Sequence, residues 1–151
     1  MNKSKWYTKR QFNRIVGIEA ERLKEACQLL VGDVKQSFTA YKVAQAGGRR
    51  ITKIAKGKGR KKYHVVSAPG EPPAVDKGQY RGSFTFNVFI TGVKAIIIGR
   101  VGTNQKRAKR LEYGYVGTDK RGRRINQAPR PHLHPAFRRM KGKIMAILSG
   151  K

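Results

Sequence analysis

From Phe12 to Tyr41 the apolar residues Phe12, Ile15, Val16, Leu23, Cys27, Leu30, Val34, Phe38 and Tyr41 recur mostly at three- and four-residue steps, the spacing that lines one stripe of a helix. A long N-terminal helix is predicted there. Gly17 and Gly32 each weaken it by up to about 1 kcal/mol relative to alanine, which makes Gly32 the place for a bend or break. Further along, Phe84, Phe86, Val88 and Ile90 alternate with Ser83, Thr85 and Asn87, and Ala95 to Val101 is apolar on both faces. The two stretches read as a hairpin turning at Thr91 to Lys94, with its second strand central in a small sheet. Gln105 to Tyr113 predicts a short basic helix ending at Gly114, followed by a glycine-punctuated loop. Leu133, Phe137, Met140, Ile144 and Ile147 then predict a closing amphipathic helix with Pro135 near its first turn. The predicted class is α+β in one domain spanning residues 1–151: a long N-terminal helix, a small mostly antiparallel sheet, a short helix and a C-terminal helix.

Two segments interrupt this periodicity. Residues 42–62 hold nine basic residues and no acid, among them Arg49, Arg50, Lys53, Lys56, Lys58, Arg60, Lys61 and Lys62. Such a stretch cannot fold a core by itself; it reads as a polyanion-binding arm or as a solvated loop. Tyr63, Val65 and Val66 favour strand, so residues 42–66 are either a basic loop or an extended hairpin arm. Ala68 to Val75 contains Pro69, Pro72 and Pro73, which fix φ and remove three backbone donors, giving an extended connector.

Charge changes the picture more than composition does. Thirty-five Lys and Arg stand against eight Asp and Glu, a formal charge of +27 at pH 7 in 151 residues. That charge repels itself in a compact state and attracts polyanions over about 8 to 10 Å at ordinary salt. Nucleic acid, an acidic protein surface and an anionic membrane all answer to it. The N-terminal segment lacks the apolar run of a signal peptide, and the Val93 to Val101 run is broken by Lys94, Gly99 and Arg100 and is too short to span a bilayer. A soluble protein with no membrane partner is expected. The single Cys27 belongs to the apolar stripe and is expected to be buried as a small hydrophobe.

Candidate chemistry is sparse. His132 and His134 flank Leu133, but no cysteine or carboxylate cluster stands nearby in sequence to complete a metal site. Glu71, Asp76, Glu112 and Asp119 are scattered over loops without a paired acid and base, and no phosphate-loop pattern exists. The sequence therefore predicts no enzyme activity, no metal and no cofactor.

Three ordered segments stand out: residues 67–78 with Arg81, Gly82 and Ser83; residues 101–104 with Leu111 to Gly114; and Ala128 to Pro131 with Leu133 and Pro135 to Phe137. In this order and spacing they resemble the neck and tail-completion (head-tail joining) family of long-tailed bacteriophages, relatives of the lambdoid minor tail protein Z. The resemblance spans residues 67 to 137. It implies a ring-forming structural subunit of the virion, with six copies at the neck between the DNA-filled head and the tail. The implied partners are itself, the head connector or adaptor, the tail terminator or tube proteins, and double-stranded DNA in the channel. Assembly would take place in the bacterial host cytoplasm. The motif positions are Pro69, Pro72, Pro73, Asp76, Gly78, Arg81, Gly102, Glu112, Gly114, Pro129, Arg130 and Pro131. The resemblance assigns them turn geometry and charge-assisted pairing, Arg130 or Arg81 with Glu112 or Asp76, and no catalysis. The basic residues expected to face a partner or DNA are those of the 49–62 arm together with Lys106, Arg107, Lys109, Arg110, Lys120, Arg121, Arg123 and Arg124. The alternative from charge alone is a nucleic-acid-binding protein of ribosomal or nucleoid type.

Overall fold

The computed structural model describes residues 9–38, 49–54, 61–75, 77–91 and 96–151. Helix α1, Lys9–Ser37, has 29 residues and is about 43 Å long at 1.5 Å per residue. It runs through Gly32 without interruption, which corrects the expected break. Gly32 is exposed, so its lost side chain leaves no gap in the packing, and the neighbouring Leu30, Val31 and Val34 anchor the turn around it. The buried residues Ala26, Cys27, Leu30, Val31 and Val34 all lie in the C-terminal half of the helix, and Phe38 closes it.

Helix α4, Leu133–Leu148, lies antiparallel to this half: Arg139 binds Asp33 at 2.7 Å, and Gly150, just past its end, sits beside the Arg22 side chain. The α4 helix thus stops level with Arg22. The first three turns of α1 run on beyond it, carrying Phe12, Ile15 and Ile18 about half exposed.

Among the described residues the strands form three separate antiparallel hairpins instead of one sheet. Strands β1, Arg49–Ile54, and β2, Lys61–Val66, pair from Arg49 opposite Val66 to Ile54 opposite Lys61. Of the two readings for the basic arm, the hairpin is the one adopted by these twelve residues. Lys42, Lys56, Lys58 and Arg60 lie outside the described residues, as does Asp76.

Strands β3, Thr85–Thr91, and β4, Ile96–Gly102, form the expected second hairpin, with the turn at 92–95 outside the described residues. Strand β4 is not central. Its only ladder neighbour among the described residues is β3, and its apolar residues are covered on one side by α1 rather than by a further strand. Close approach of β4 to α1 requires Gly99: a Cβ there would lie 2.7 Å from Cys27 Sγ and 3.1 Å from Leu23 Cγ. Cys27 is buried, as its place in the stripe predicts.

A four-residue turn of helix, α2, Gln79–Gly82, which the sequence did not predict, precedes β3. Helix α3, Ala108–Tyr113, ends at Gly114 as predicted. The third hairpin, β5, Tyr115–Thr118, with β6, Arg124–Gln127, replaces the predicted loop. The core gathers Leu30, Val31, Val34, Phe38, Phe84 and Ala136, with Val75, Tyr80, Phe86, Val101, Leu133, Met140 and Ile144 packed around it. No helix among the described residues is long and apolar enough to cross a membrane.

Candidate functional site

The three motif segments, separate in sequence, meet where α3 ends and α4 begins. Two prolines, Pro129 and Pro131, leave Arg130 and Ala128 as the only backbone donors of residues 128–131. The Arg130 N–H donates to the Leu111 carbonyl at 2.6 Å, and the Gly70 N–H donates to the Pro129 carbonyl at 2.9 Å. The Arg130 side chain continues the tie, its Nε donating to the Ser67 carbonyl at 3.1 Å. Gly114, at φ 78°, makes the sharp exit from α3; a Cβ there would lie 2.8 Å from the Gln127 carbonyl oxygen, so no other residue fits. Pro73 is buried and Arg81 half-buried in the same region, Gly78 holds φ 76° at the start of α2, and Gly102 ends β4.

Glu112 does not take the arginine partner that the resemblance implies. Its Oε2 accepts the N–H groups of His132 at 3.0 Å and Leu133 at 3.1 Å, and its Oε1 accepts that of His134 at 2.9 Å. A helix start presents several N–H groups with no partner in the helix and a partial positive charge, so one carboxylate there replaces the missing cap. The α4 helix has no capping side chain of its own. Burial pushes the Glu112 carboxyl upward, but the N–H bonds from His134, His132 and Leu133, with the facing His132 ring, prevail and hold it below its ordinary value.

His132 is a core residue, only 2% exposed, while His134 is exposed. Its Nδ1 is 3.0 Å from both the Arg130 carbonyl and Glu112 Oε2, two acceptors, which assigns the proton to Nδ1. Its Nε2 lies 2.8 Å from the Tyr80 hydroxyl. Phe38, Tyr80 and Phe84 surround the ring at centroid distances of 5.2 to 5.6 Å. Burial, and next Glu112, push the Tyr80 phenol far above its ordinary range, against an opposing pull from Arg107. No group of three or more His, Cys, Asp and Glu residues able to hold a metal occurs among the described residues.

The basic residues of α3 and of the β5–β6 turn are exposed, but several are engaged within the chain. Arg110 stacks over Tyr115 at 4.1 Å, and Arg107 lies over Tyr80 at 5.5 Å. Arg123 pairs with Asp119 at 2.6 Å, while Asp119 Oδ1 accepts the N–H groups of Arg121 and Arg123 and so shapes the turn. These bonds hold the Asp119 carboxyl below its ordinary value. Lys106, Lys109, Lys120, Arg121 and Arg124 are exposed, as are Tyr113 and Val116 at 76% and 80%. Arg49, Arg50, Lys53, Lys61 and Lys62 stand on the first hairpin, where the register sets Lys53 opposite Lys62.

Comparison of the chain with protein-family profiles, with curated proteins and with solved structures returns no match. The site therefore stands on its own geometry. That geometry locks backbone segments together.

Sequence reasoning missed three participants. Tyr80 and His132 carry no local signal of their pairing across 52 positions. Asp119 did carry one: Asp119-Lys120-Arg121-Gly122 between the strand-forming Tyr115, Val116 and Ile125 is a hairpin-turn pattern.

Proposed function

We propose that this chain is a structural subunit of a tailed-phage virion, forming a ring at the neck that joins the head to the tail. The observation that carries the reading is the convergence just described. Residues from 67–70, 111–114 and 128–131 with Leu133, picked out by resemblance, share one hydrogen-bonded junction. A reading based on charge alone gives these residues no role.

The exposed apolar residues support assembly. Phe12, Ile15 and Ile18 on the projecting part of α1, and Tyr113 and Val116 at the end of α3 and in β5, are large side chains that a monomer leaves in water. Subunits joining head to tail through two different surfaces close into a ring when the rotation permits. Part of the +27 charge would then meet acidic surfaces of the connector and the tail proteins, and part would face the DNA path.

Negative-stain microscopy and mass photometry of the purified chain, alone and with a head connector and a tail terminator, test this reading. Closed rings, with six copies expected, support it. A chain that stays monomeric with both partners and binds duplex DNA with a steep salt dependence would replace it with the nucleic-acid-binding alternative.

A further inference from the structure

A cleft of about 300 Å³ opens between the proline-rich connector, α2, α3 and residues 127–130. Lys77, Arg81, Arg107 and Arg130 line it, and no carboxylate does among the described residues. Cationic side chains gathered in one cleft repel each other, and neither Lys77 nor Arg81 has an ion-pair partner among the described residues. Ser67 provides a second, independent observation. It lines the same cleft, is only 3% exposed, and its hydroxyl has no hydrogen-bond partner among the described residues. A buried hydroxyl left unpaired is unfavourable and rare in folded proteins. Its carbonyl, by contrast, is held by Arg130 Nε at 3.1 Å, which fixes the serine and the guanidinium side by side.

One ligand removes both defects. We infer that this cleft binds a phosphate-type oxyanion, with the Ser67 hydroxyl donating to it and Arg81, Arg107, Arg130 and Lys77 neutralising it. Guanidinium groups pair with tetrahedral oxyanions through two parallel N–H bonds, and a hydroxyl adds a short charge-assisted bond. The Tyr80 ring beneath Arg107, oriented by its bond to His132, holds that guanidinium over the cleft. The volume is about ten times the roughly 30 Å³ that a water molecule occupies in the liquid, so a group carrying the phosphate fits as well as the free ion. The inference is independent of ring formation.

Calorimetric titration of the full chain with inorganic phosphate, at an ionic strength held constant with chloride, reads the binding. Thymidine 5′-monophosphate serves as the second probe. Saturable binding of one phosphate per chain is expected, weakened about tenfold or more in R107Q and R81Q, as for loss of a charge-assisted bond. R107Q and K77Q alter exposed residues and carry the test even if R81Q fails to fold. S67A should weaken phosphate binding while leaving the thermal midpoint of the phosphate-free protein unchanged or higher, an outcome that a merely structural serine would not give. K120Q, with the same charge change on the β5–β6 turn, should bind as the wild type does.

Tighter binding of the nucleotide assigns the phosphate to an organic carrier such as nucleic acid, and equal binding assigns it to the free ion. Equal losses in K120Q and R107Q would reduce the effect to overall charge and overturn the site. The absence of saturable binding to the wild type would also overturn it.

Discussion

Glu112 and His132 are joined twice, the carboxylate accepting the backbone N–H of His132 at 3.0 Å and facing its ring Nδ1 at 3.0 Å. The same carboxylate accepts the next two N–H groups, so the start of α4 is closed by a residue 20 to 22 positions earlier in the chain. Glu112→Ala leaves three backbone donors without their acceptor and takes a carboxylate from beside the His132 ring. A loss of about 3 kcal/mol or more is expected, in the range for breaking one side of a mostly buried charged set. Glu112→Gln keeps one acceptor oxygen and should lose less. Urea midpoints of the three proteins check this order.

The same carboxylate gives a pH dependence with a fixed sign. Its pKa in the fold lies below the ordinary value of 4.5, so its contribution is fully present above 4.5 and is lost as pH falls through the depressed value. Asp119, also depressed from 3.8, acts in the same direction. Denaturation curves recorded from pH 7 downward should show stability falling in acid, with a smaller fall in Glu112→Gln. Parallel curves for the two proteins would remove Glu112 from the acid transition.

Tyr80→Phe takes away the hydroxyl that faces His132 Nε2 at 2.8 Å and leaves a buried ring nitrogen without its partner. A loss of about 1 to 3 kcal/mol is expected. A double-mutant cycle with His132→Phe should return a coupling of at least about 0.5 kcal/mol, the lower bound for residues in one hydrogen-bond network.

Gly99→Ala forces a Cβ to 2.7 Å from the Sγ of the buried Cys27. Overpacking of this kind costs about 1 to 3 kcal/mol. Cys27→Ala vacates the clashing atom, so the double variant should be more stable than the sum of the two single changes allows. Additive losses in thermal melts would place the strain elsewhere.

Phe12, Ile15 and Ile18 stand on the part of α1 that runs past the end of α4. Replacing all three with serine should leave the unfolding free energy within about 0.5 kcal/mol per site, as for surface changes away from packed features. Particle size in mass photometry should fall to the monomer. Retained rings would move the subunit contact to another surface.

The sequence alone determined the elements whose periodicity reports which side faces apolar surroundings. The stripe from Phe12 to Phe38, the alternation around Phe84 to Ile90 and the spacing of Leu133 to Ile147 each marked a real element, because burial of one face imposes its period locally. It also marked Glu112, Gly114, Pro129, Arg130 and Pro131 as a structural set. Their partners were decided only by the tertiary structure. A carboxylate satisfies a guanidinium or a helix start equally well in chemical terms, and the choice depends on where α3 ends relative to α4, which the Gly114 turn fixes. Ala95 to Val101 looked central for a related reason: an apolar strand face reads the same whether a strand or a helix covers it, and here α1 does. The Tyr80–His132 pair and the tie from Arg130 to the Ser67 carbonyl join residues 52 and 63 positions apart, a distance over which no local pattern constrains the pairing.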